Sequence, residues 1–526
     1  MKKILFTLTF FISCFCYAQN FDWVRPNPVN YNMNPSYVHT RICPAPGNTL
    51  WEARMDSAAI AFGADLHGKQ MLENLDASGT LISSLTLGPE VFIDDMICDP
   101  NGRLYIAGTF MNTLFIGNAD TLSNTQPGLN ADPFIICLDA NGGLVWKRNL
   151  GTVPINSIRI TSLALSPSGV VHYALNGWSW GAIVGLDNSG QDAGQVVIDG
   201  ANTIGDFGFD PWGNIFVSGA TGLTNFSIGS FSTFAPEAYM IYIARINTSG
   251  QASWVHFGHD VTFQFPNVET DGLGNAYVAA TLMDTLTWGN FHLNGPDWSY
   301  DFWLVKIDSS GNFIWAKENN PPIGSGLGDF QQGKNRFIAS DQAGNIMMCG
   351  NLRGTINWGN GLVISNSPVS QTNLHAVLFD PMGNALWAKN VSGTAFKEMN
   401  DVIHLNGHWY ACGNHNTDSN ILFDALSINF PDPQNSFVTR IGTTGTTGIP
   451  QEEMNSSTAP LYPNPSRDFT GIPEHWLTGG PLEIFNAEGT LIQRFLPKQK
   501  IISLAGLSSG MYLLRCQGET QRLVIE

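Results

Sequence analysis

Asp271-Gly272-Leu273-Gly274-Asn275-Ala276-Tyr277-Val278-Ala279, followed by Leu304-Val305-Lys306-Ile307-Asp308-Ser309-Ser310-Gly311-Asn312-Phe313-Ile314-Trp315, holds the pattern that decides the fold. Each half contains an Asp-x-x-Gly turn with an apolar run after it. Asp at the first position of a type I turn bonds back to the backbone, and Gly at the fourth accepts the positive φ that lets a hairpin twist correctly. Two such turns make two hairpins and therefore four antiparallel strands. The sequence places these strands at Thr262 to Glu269, Ala276 to Thr281, Phe302 to Ile307 and Phe313 to Lys317.

The pattern repeats along the chain. The first turn recurs at Asp99-Pro100-Asn101-Gly102, Ser166-Pro167-Ser168-Gly169, Asp210-Pro211-Trp212-Gly213 and Asp341-Gln342-Ala343-Gly344, with weaker copies at Pro44 to Gly47 and Leu405 to Gly407. The second recurs at Asp76 to Gly79, Asp139 to Gly142, Asp187 to Gly190, Asn247 to Gly250, Asp380 to Gly383 and Ile441 to Gly445. Each turn thus occurs seven times, the arithmetic of an all-β, seven-bladed β-propeller with four-stranded blades. The third unit is shortened and lacks its Trp. The seventh lacks a fourth strand, but Asn20-Phe21-Asp22-Trp23-Val24-Arg25 looks like Asn312-Phe313-Ile314-Trp315-Ala316-Lys317. The expectation is that Phe21 to Arg25 completes the last blade and removes the edges of an open ring. These motifs resemble the bacterial repeat family named for seven-bladed propellers, over residues 19–445. Residues 446–460 read as a linker, and 461–526 as a small β-sandwich.

Composition narrows the function. The net charge of -18 on 526 residues argues against nucleic acid, whose phosphate backbone needs concentrated Lys and Arg. Outside the first residues the cysteines are Cys43, Cys98, Cys137, Cys349, Cys412 and Cys516, too sparse for a disulfide framework and without Cys-x-x-Cys spacing, so they read as buried thiols. The Asp-x-x-Gly turns lack the alternating ligands and closing Glu of a calcium loop. They resemble the Asp box of sialidase propellers with one residue too many. His256-Phe257-Gly258-His259-Asp260 would straddle a strand end, and His404 and His408 flank a turn, so no metal or cofactor is expected. The repeated Trp23, Trp146, Trp254, Trp315 and Trp387 read as packing residues. Trp178, Trp180, Trp298 and Tyr300 fall outside the repeat, in connections that emerge on one face, and are the candidate ligand-binding residues; gap-filling between blades is the competing role.

Both chain ends speak of export. Met1-Lys2-Lys3, the apolar Ile4 to Phe15 and the small Ala18 have the layout of a secretory signal peptide over 1–18, cleaved after Ala18; Phe11-Ile12-Ser13-Cys14 is a loose lipobox and the competing reading. No later segment is long enough to span a bilayer as a helix. At the other end stand Leu461-Tyr462-Pro463-Asn464-Pro465, Leu482-Glu483-Ile484-Phe485-Asn486-Ala487-Glu488-Gly489 and Ser509-Gly510-Met511-Tyr512-Leu513-Leu514. Their order resembles the C-terminal sorting domain of the Bacteroidetes type IX secretion system, with Pro463, Asn464, Pro465, Gly489, Gly510 and Tyr512 as motif residues. The resemblance implies the type IX machinery as partner, passage across the outer membrane, and a product released or attached at the cell surface. A binding or adhesion module for glycan or protein is the function expected. The alternatives are a glycosidase or lyase whose site is dispersed over several blades, and a structural surface-layer component. No catalytic residue stands out from the repeat.

Overall fold

The computed structural model divides into two compact units, residues 1–447 and 448–526. It describes residues 18–28, 39–62, 65–151, 159–177, 179–259, 265–282, 285–295, 301–318, 328–366, 372–393, 397–415, 421–424, 426–428, 435–444, 461, 466–477, 480–486, 490–516 and 519–525. Trp178, Trp298, Tyr300, Pro463, Asn464, Pro465, Gly489, residues 1–17 and residues 446–460 lie outside the described residues.

In the first unit, antiparallel strands follow one another in sets of four. Set one is Arg41–Ala45, Thr49–Phe62, Asp65–Asp76 and the first half of Leu81–Cys98; set two is the second half of that strand with Leu104–Phe110, Asp132–Leu138 and Leu144–Asn149. Sharing Leu81–Cys98 merges these two sets into one continuous sheet. Set three is Arg159–Leu165, Val171–Gly177, Trp180–Leu186 and Asp192–Asp199; set four is Ala201–Phe209, Ile215–Thr221, Ile241–Ile246 and Ala252–Gly258. Set five is Asn267–Thr270, Ala276–Leu282, Asp301–Ile307 and Phe313–Glu318; the expected start of its first strand at Thr262 lies outside the described residues. Set six runs from Ile338–Ser340 through Ile346–Asn357 and Thr372–Phe379 to Ala385–Val391, with Gly328–Gln332 also on its second strand. The last set is Lys397–Leu405, His408–His415 and Asn435–Thr444, with Ala18–Pro28 as its outer strand.

That N-terminal strand is held by side chains as well as by its ladder. Phe21 lies opposite Ile441 and Arg25 opposite Val438. Arg25 Nη1 sits 3.0 Å from Glu52 and 2.7 Å from Glu73, both in set one, while Asn27 donates to Glu52 at 2.6 Å. Burial pushes the Glu52 carboxyl up to about 7, against the pull of Arg25 and Arg54.

The turns use the chemistry their sequences suggest. Asp308 Oδ1 accepts the backbone N–H groups of Ser310 (2.8 Å) and Asn312 (2.9 Å), and Gly311 sits at φ +88°. The repeated tryptophans then explain a second demand on that glycine. Trp23, Trp254 and Trp315 each donate their indole N–H to the carbonyl of the second turn residue in the following set: Ala77 (3.0 Å), Ser309 (3.1 Å) and Pro381 (3.1 Å). A Cβ at Gly190 would fall 2.5 Å from the Trp146 ring, so the indole occupies the space a side chain would need. The core lies between neighbouring sets: Phe216, Ile241 and Ile243 of set four pack with Val268, Val278, Trp303 and Val305 of set five. All six cysteines named above are buried, and none is in a disulfide.

A third repeated element is a short extra hairpin between the second and third strands. It appears at Thr113–Ile116 with Asp120–Ser123, Asn225–Ile228 with Phe231–Phe234, Thr285–Trp288 with Phe291–Asn294, the end of Ile346–Asn357 with Val363–Ser365, and Ile421–Phe423 with Leu426–Ile428. Gly117, Gly229 and Gly289 close three of them at φ +58°, +62° and +59°. Sets one and three have none: Thr49–Phe62 leads directly to Asp65–Asp76, and Val171–Gly177 to Trp180–Leu186.

The second unit carries a four-stranded sheet in the order Leu491–Phe495, Leu482–Asn486, Gly510–Cys516, Glu519–Ile525, and a two-stranded pair of Phe469–Gly471 with Ile501–Ser503. Trp476, Leu482, Ile484, Leu514 and Leu523 form its core.

Candidate functional site

The first strands of the sets converge through one recurring position. Asp95, Ser162, Asp206 and Asn267 each stand four residues before the first residue of their turn, and Arg41, Arg336 and Asp401 hold the matching place in the other sets. The ladder is bulged at Asp95, Asp206 and Asp401. A bulge frees a backbone N–H, and the carboxylate answers it: Asp95 accepts from Met96 N at 2.8 Å and Asp206 from Phe207 N at 2.9 Å. The second oxygen reaches the next set, accepting Leu163 N at Asp95 (2.7 Å), Val268 N at Asp206 (2.9 Å) and Ile42 N at Asp401 (3.1 Å). Asn267 does the same for Phe337 N at 2.7 Å. The last of these aspartates thereby joins set seven back to set one.

Arg336 reaches across from set six to set two, its Nη2 3.2 Å from Asp95 Oδ2. Burial opposes its charge, but Asp95, Asp206, Glu269 and Asp401 around it push its pKa up. Burial in turn pushes the Glu269 carboxyl up to about 8, and raises Asp206 and Asp401, against the counter-pull of Arg336.

On the side where the first strands begin, a second tier of polar residues faces this floor. Arg159 is 2.7 Å from Asp94 and 3.3 Å from Asp65, with its guanidinium 5.6 Å from the centroid of Phe92. Lys334 lies 3.6 Å from Glu398, and His39 Nδ1 2.8 Å from Asn335 Oδ1. Burial, then the cations Arg41, Lys334 and Arg159, holds the His39 pKa well below the usual imidazole range; burial pushes Asp94 up to about 6 despite Arg159. Together these groups form a polar cup whose floor is the Arg336 level.

Beside the cup, between sets three and four, is a cavity of about 210 Å³ lined by Arg159, Thr161, Asn176, Gly177, Asn202, Thr203 and Phe265. Asn176 donates to Thr161 Oγ1 (2.9 Å) and accepts from Ile204 N (2.5 Å), which ties the two sets together below it.

Of the ligand-binding residues expected from sequence, Trp180 is described. It is half-buried, pairs with Gly177, and leaves no room for a Cβ there, which would fall 2.5 Å from its indole. The sorting-motif Tyr512 donates its hydroxyl to Ser508 O at 2.9 Å, fastening the loop before Gly510–Cys516. His256 Nε2 is engaged by Gly311 O at 2.9 Å, and the His404 ring lies 4.7 Å from that of Trp409. Among the described residues no group of three or more His, Cys, Asp and Glu is placed to hold a metal ion. The cup itself went unread in the sequence, although the fixed offset of Asp95, Asp206 and Asn267 from their turns was a visible signal.

Residues 460–526 match the family described as secretion system C-terminal sorting domain. Beta-agarase A of Zobellia galactanivorans is 29% identical over 83 residues, which is 15% of this chain and 15% of the agarase. Among solved structures, PorZ, described as an essential surface component of the type-IX secretion system of Porphyromonas gingivalis, aligns with 11% identity over 93% of this chain and 70% of its own, at a TM-score of 0.26. The Dos1 propeller aligns at 12% identity over 95% of both chains with a TM-score of 0.27. A Dyadobacter fermentans protein of unknown function aligns at 8% identity over 80% of this chain and 99% of its own, with a TM-score of 0.36. Among the described residues no helix is long and apolar enough to cross a membrane. The sorting domain that residues 460–526 match marks this chain as a secreted or outer-surface-attached protein.

Proposed function

We propose that residues 19–445 form a seven-bladed β-propeller tied shut by the N-terminal strand, and that the polar cup is a recognition site for glycan or protein at the outer surface. In this reading the leader is removed after Ala18, and residues 461–526, a small β-sandwich, engage the type IX machinery. The observation that carries the recognition role is the convergence of Arg159, Lys334, His39, Asp94 and Glu398, from well-separated stretches of chain, on a floor that Arg336 closes. Their charges are engaged with one another. That arrangement suits a rigid, preorganised surface better than a free nucleophile or base. The second reading is a polysaccharide-acting enzyme. It is favoured by the Asp94 carboxyl held at about 6 in the same cup, a value suited to proton transfer near neutrality.

The test is a glycan and protein binding array on the mature chain, with product analysis on every ligand that binds. Saturable binding without turnover is expected. Turnover that vanishes in Asp94→Asn with binding retained would replace recognition by catalysis, and an array without a single binder would overturn both.

A further inference from the structure

Resting on the recognition reading, we infer that the cavity between sets three and four is a subsite for one neutral sugar ring. Three observations carry the inference. First, the cavity is built rather than left over. The cavity lies where the first strands of sets three and four come together, and its wall is held by fixed polar groups, with Thr161 Oγ1 donating to Ile204 O at 2.6 Å.

Second, the wall has the two textures a pyranose presents. Phe265, 45% exposed, offers an aromatic face to the C–H side of a ring, and Trp180 lies against Gly177 at the same rim. Thr161, Asn176, Asn202 and Thr203 offer amide and hydroxyl groups to its hydroxyls. At about 210 Å³ the space is smaller than the pockets that hold drug-sized ligands, so it takes a single ring.

Third, the charge balance selects against acidic sugars. Arg159 is the cation of the lining, and it already faces the carboxylates of Asp94 at 2.7 Å and Asp65 at 3.3 Å. A uronic or sulfated sugar would bring its anion against that pair without a surplus positive charge to receive it.

The experiment uses the whole mature chain. Neutral saccharides, their uronic and sulfated counterparts and host proteins are screened together, and each binder is titrated against the wild type, Phe265→Ala, Asn202→Ala and the exposed-turn control Leu273→Ala. Expected are binding of a neutral saccharide, a loss of about tenfold in affinity for Phe265→Ala and for Asn202→Ala, and no change for Leu273→Ala, with melting temperatures held within the wild-type range. A saccharide whose affinity ignores Phe265→Ala and Asn202→Ala overturns the subsite and leaves recognition intact. So does a preference for acidic sugars or binding of protein alone. Absence of binding to every probe overturns the subsite and the recognition reading together. Should Asn202→Ala melt early, Phe265→Ala decides, since its side chain is largely outside the core.

Discussion

Replacing Arg336 with Met removes the cation around which Asp95, Asp206, Glu269 and Asp401 are gathered. Deleting one partner of a buried ion pair leaves the other charge uncompensated, at a cost of about 3–5 kcal/mol. For a unit of 447 residues the unfolding entropy is about 0.9 kcal/mol per kelvin, so the melting temperature should fall by about 4 °C if the unit unfolds as one. The sign of the pH dependence is fixed by the same geometry. Without Arg336, Asp206, Glu269 and Asp401 hold their protons still more tightly in the fold than in the unfolded chain, so the deficit grows as pH rises through their folded pKa values and shrinks in acid. Differential scanning calorimetry of wild type and Arg336→Met at pH 8 and pH 5 reads this directly. Adding Asp95→Asn should restore part of the loss, because it removes one of the stranded charges. A variant that melts within 1 °C of wild type at pH 8, or that loses more at pH 5 than at pH 8, would refute the reasoning.

Glu269→Gln makes the complementary prediction: because the folded carboxyl titrates near 8, well above its unfolded value, wild type loses stability from about pH 4.5 to 8 while the amide does not. The variant should gain on the order of 2 kcal/mol at pH 8 and nothing at pH 4, by chemical denaturation. Arg25→Ala leaves the buried Glu52 without its ion-pair partner, Glu73 keeping Arg54, and should cost about 3 kcal/mol while exposing residues 18–28 to limited proteolysis well before the other strands. Gly190→Ala and Gly169→Ala share a positive φ of +80° and +79°, but only the first meets a tryptophan. Both should lose about 1 kcal/mol from backbone strain, and Gly190→Ala should lose about 1–2 kcal/mol more from displacing Trp146.

What was legible in the sequence was local. An Asp-x-x-Gly turn carries its own hydrogen bonds, so Asp271 to Gly274 and Asp308 to Gly311 announce their hairpins without help from the rest of the chain. The sequence also sets Phe21 to Arg25 beside the last strand, because Phe21-Asp22-Trp23 looks like an outer strand in want of a partner, and Ala18–Pro28 pairs with Asn435–Thr444. The extra hairpins were harder to see, although Leu286-Thr287-Trp288-Gly289-Asn290 and Ile356-Asn357-Trp358-Gly359-Asn360 share a pattern; it falls between the two stronger turns and reads as a connection. The site was legible least. Trp180 proves to lie beside the cavity, but Arg159, Thr161 and Asn202 carry no local signature. Arg336 and Asp95, 241 residues apart, meet only because the first strands converge.

Recognition at the cup is tested most directly by amide hydrogen exchange of the mature chain with and without its tightest array ligand. Slowed exchange at residues 39–42, 92–96, 159–163, 334–337 and 398–401, with residues 210–214 and 271–275 unchanged, is the predicted result. Protection confined to those turns, or to the outer strands, would place the ligand elsewhere and contradict the site.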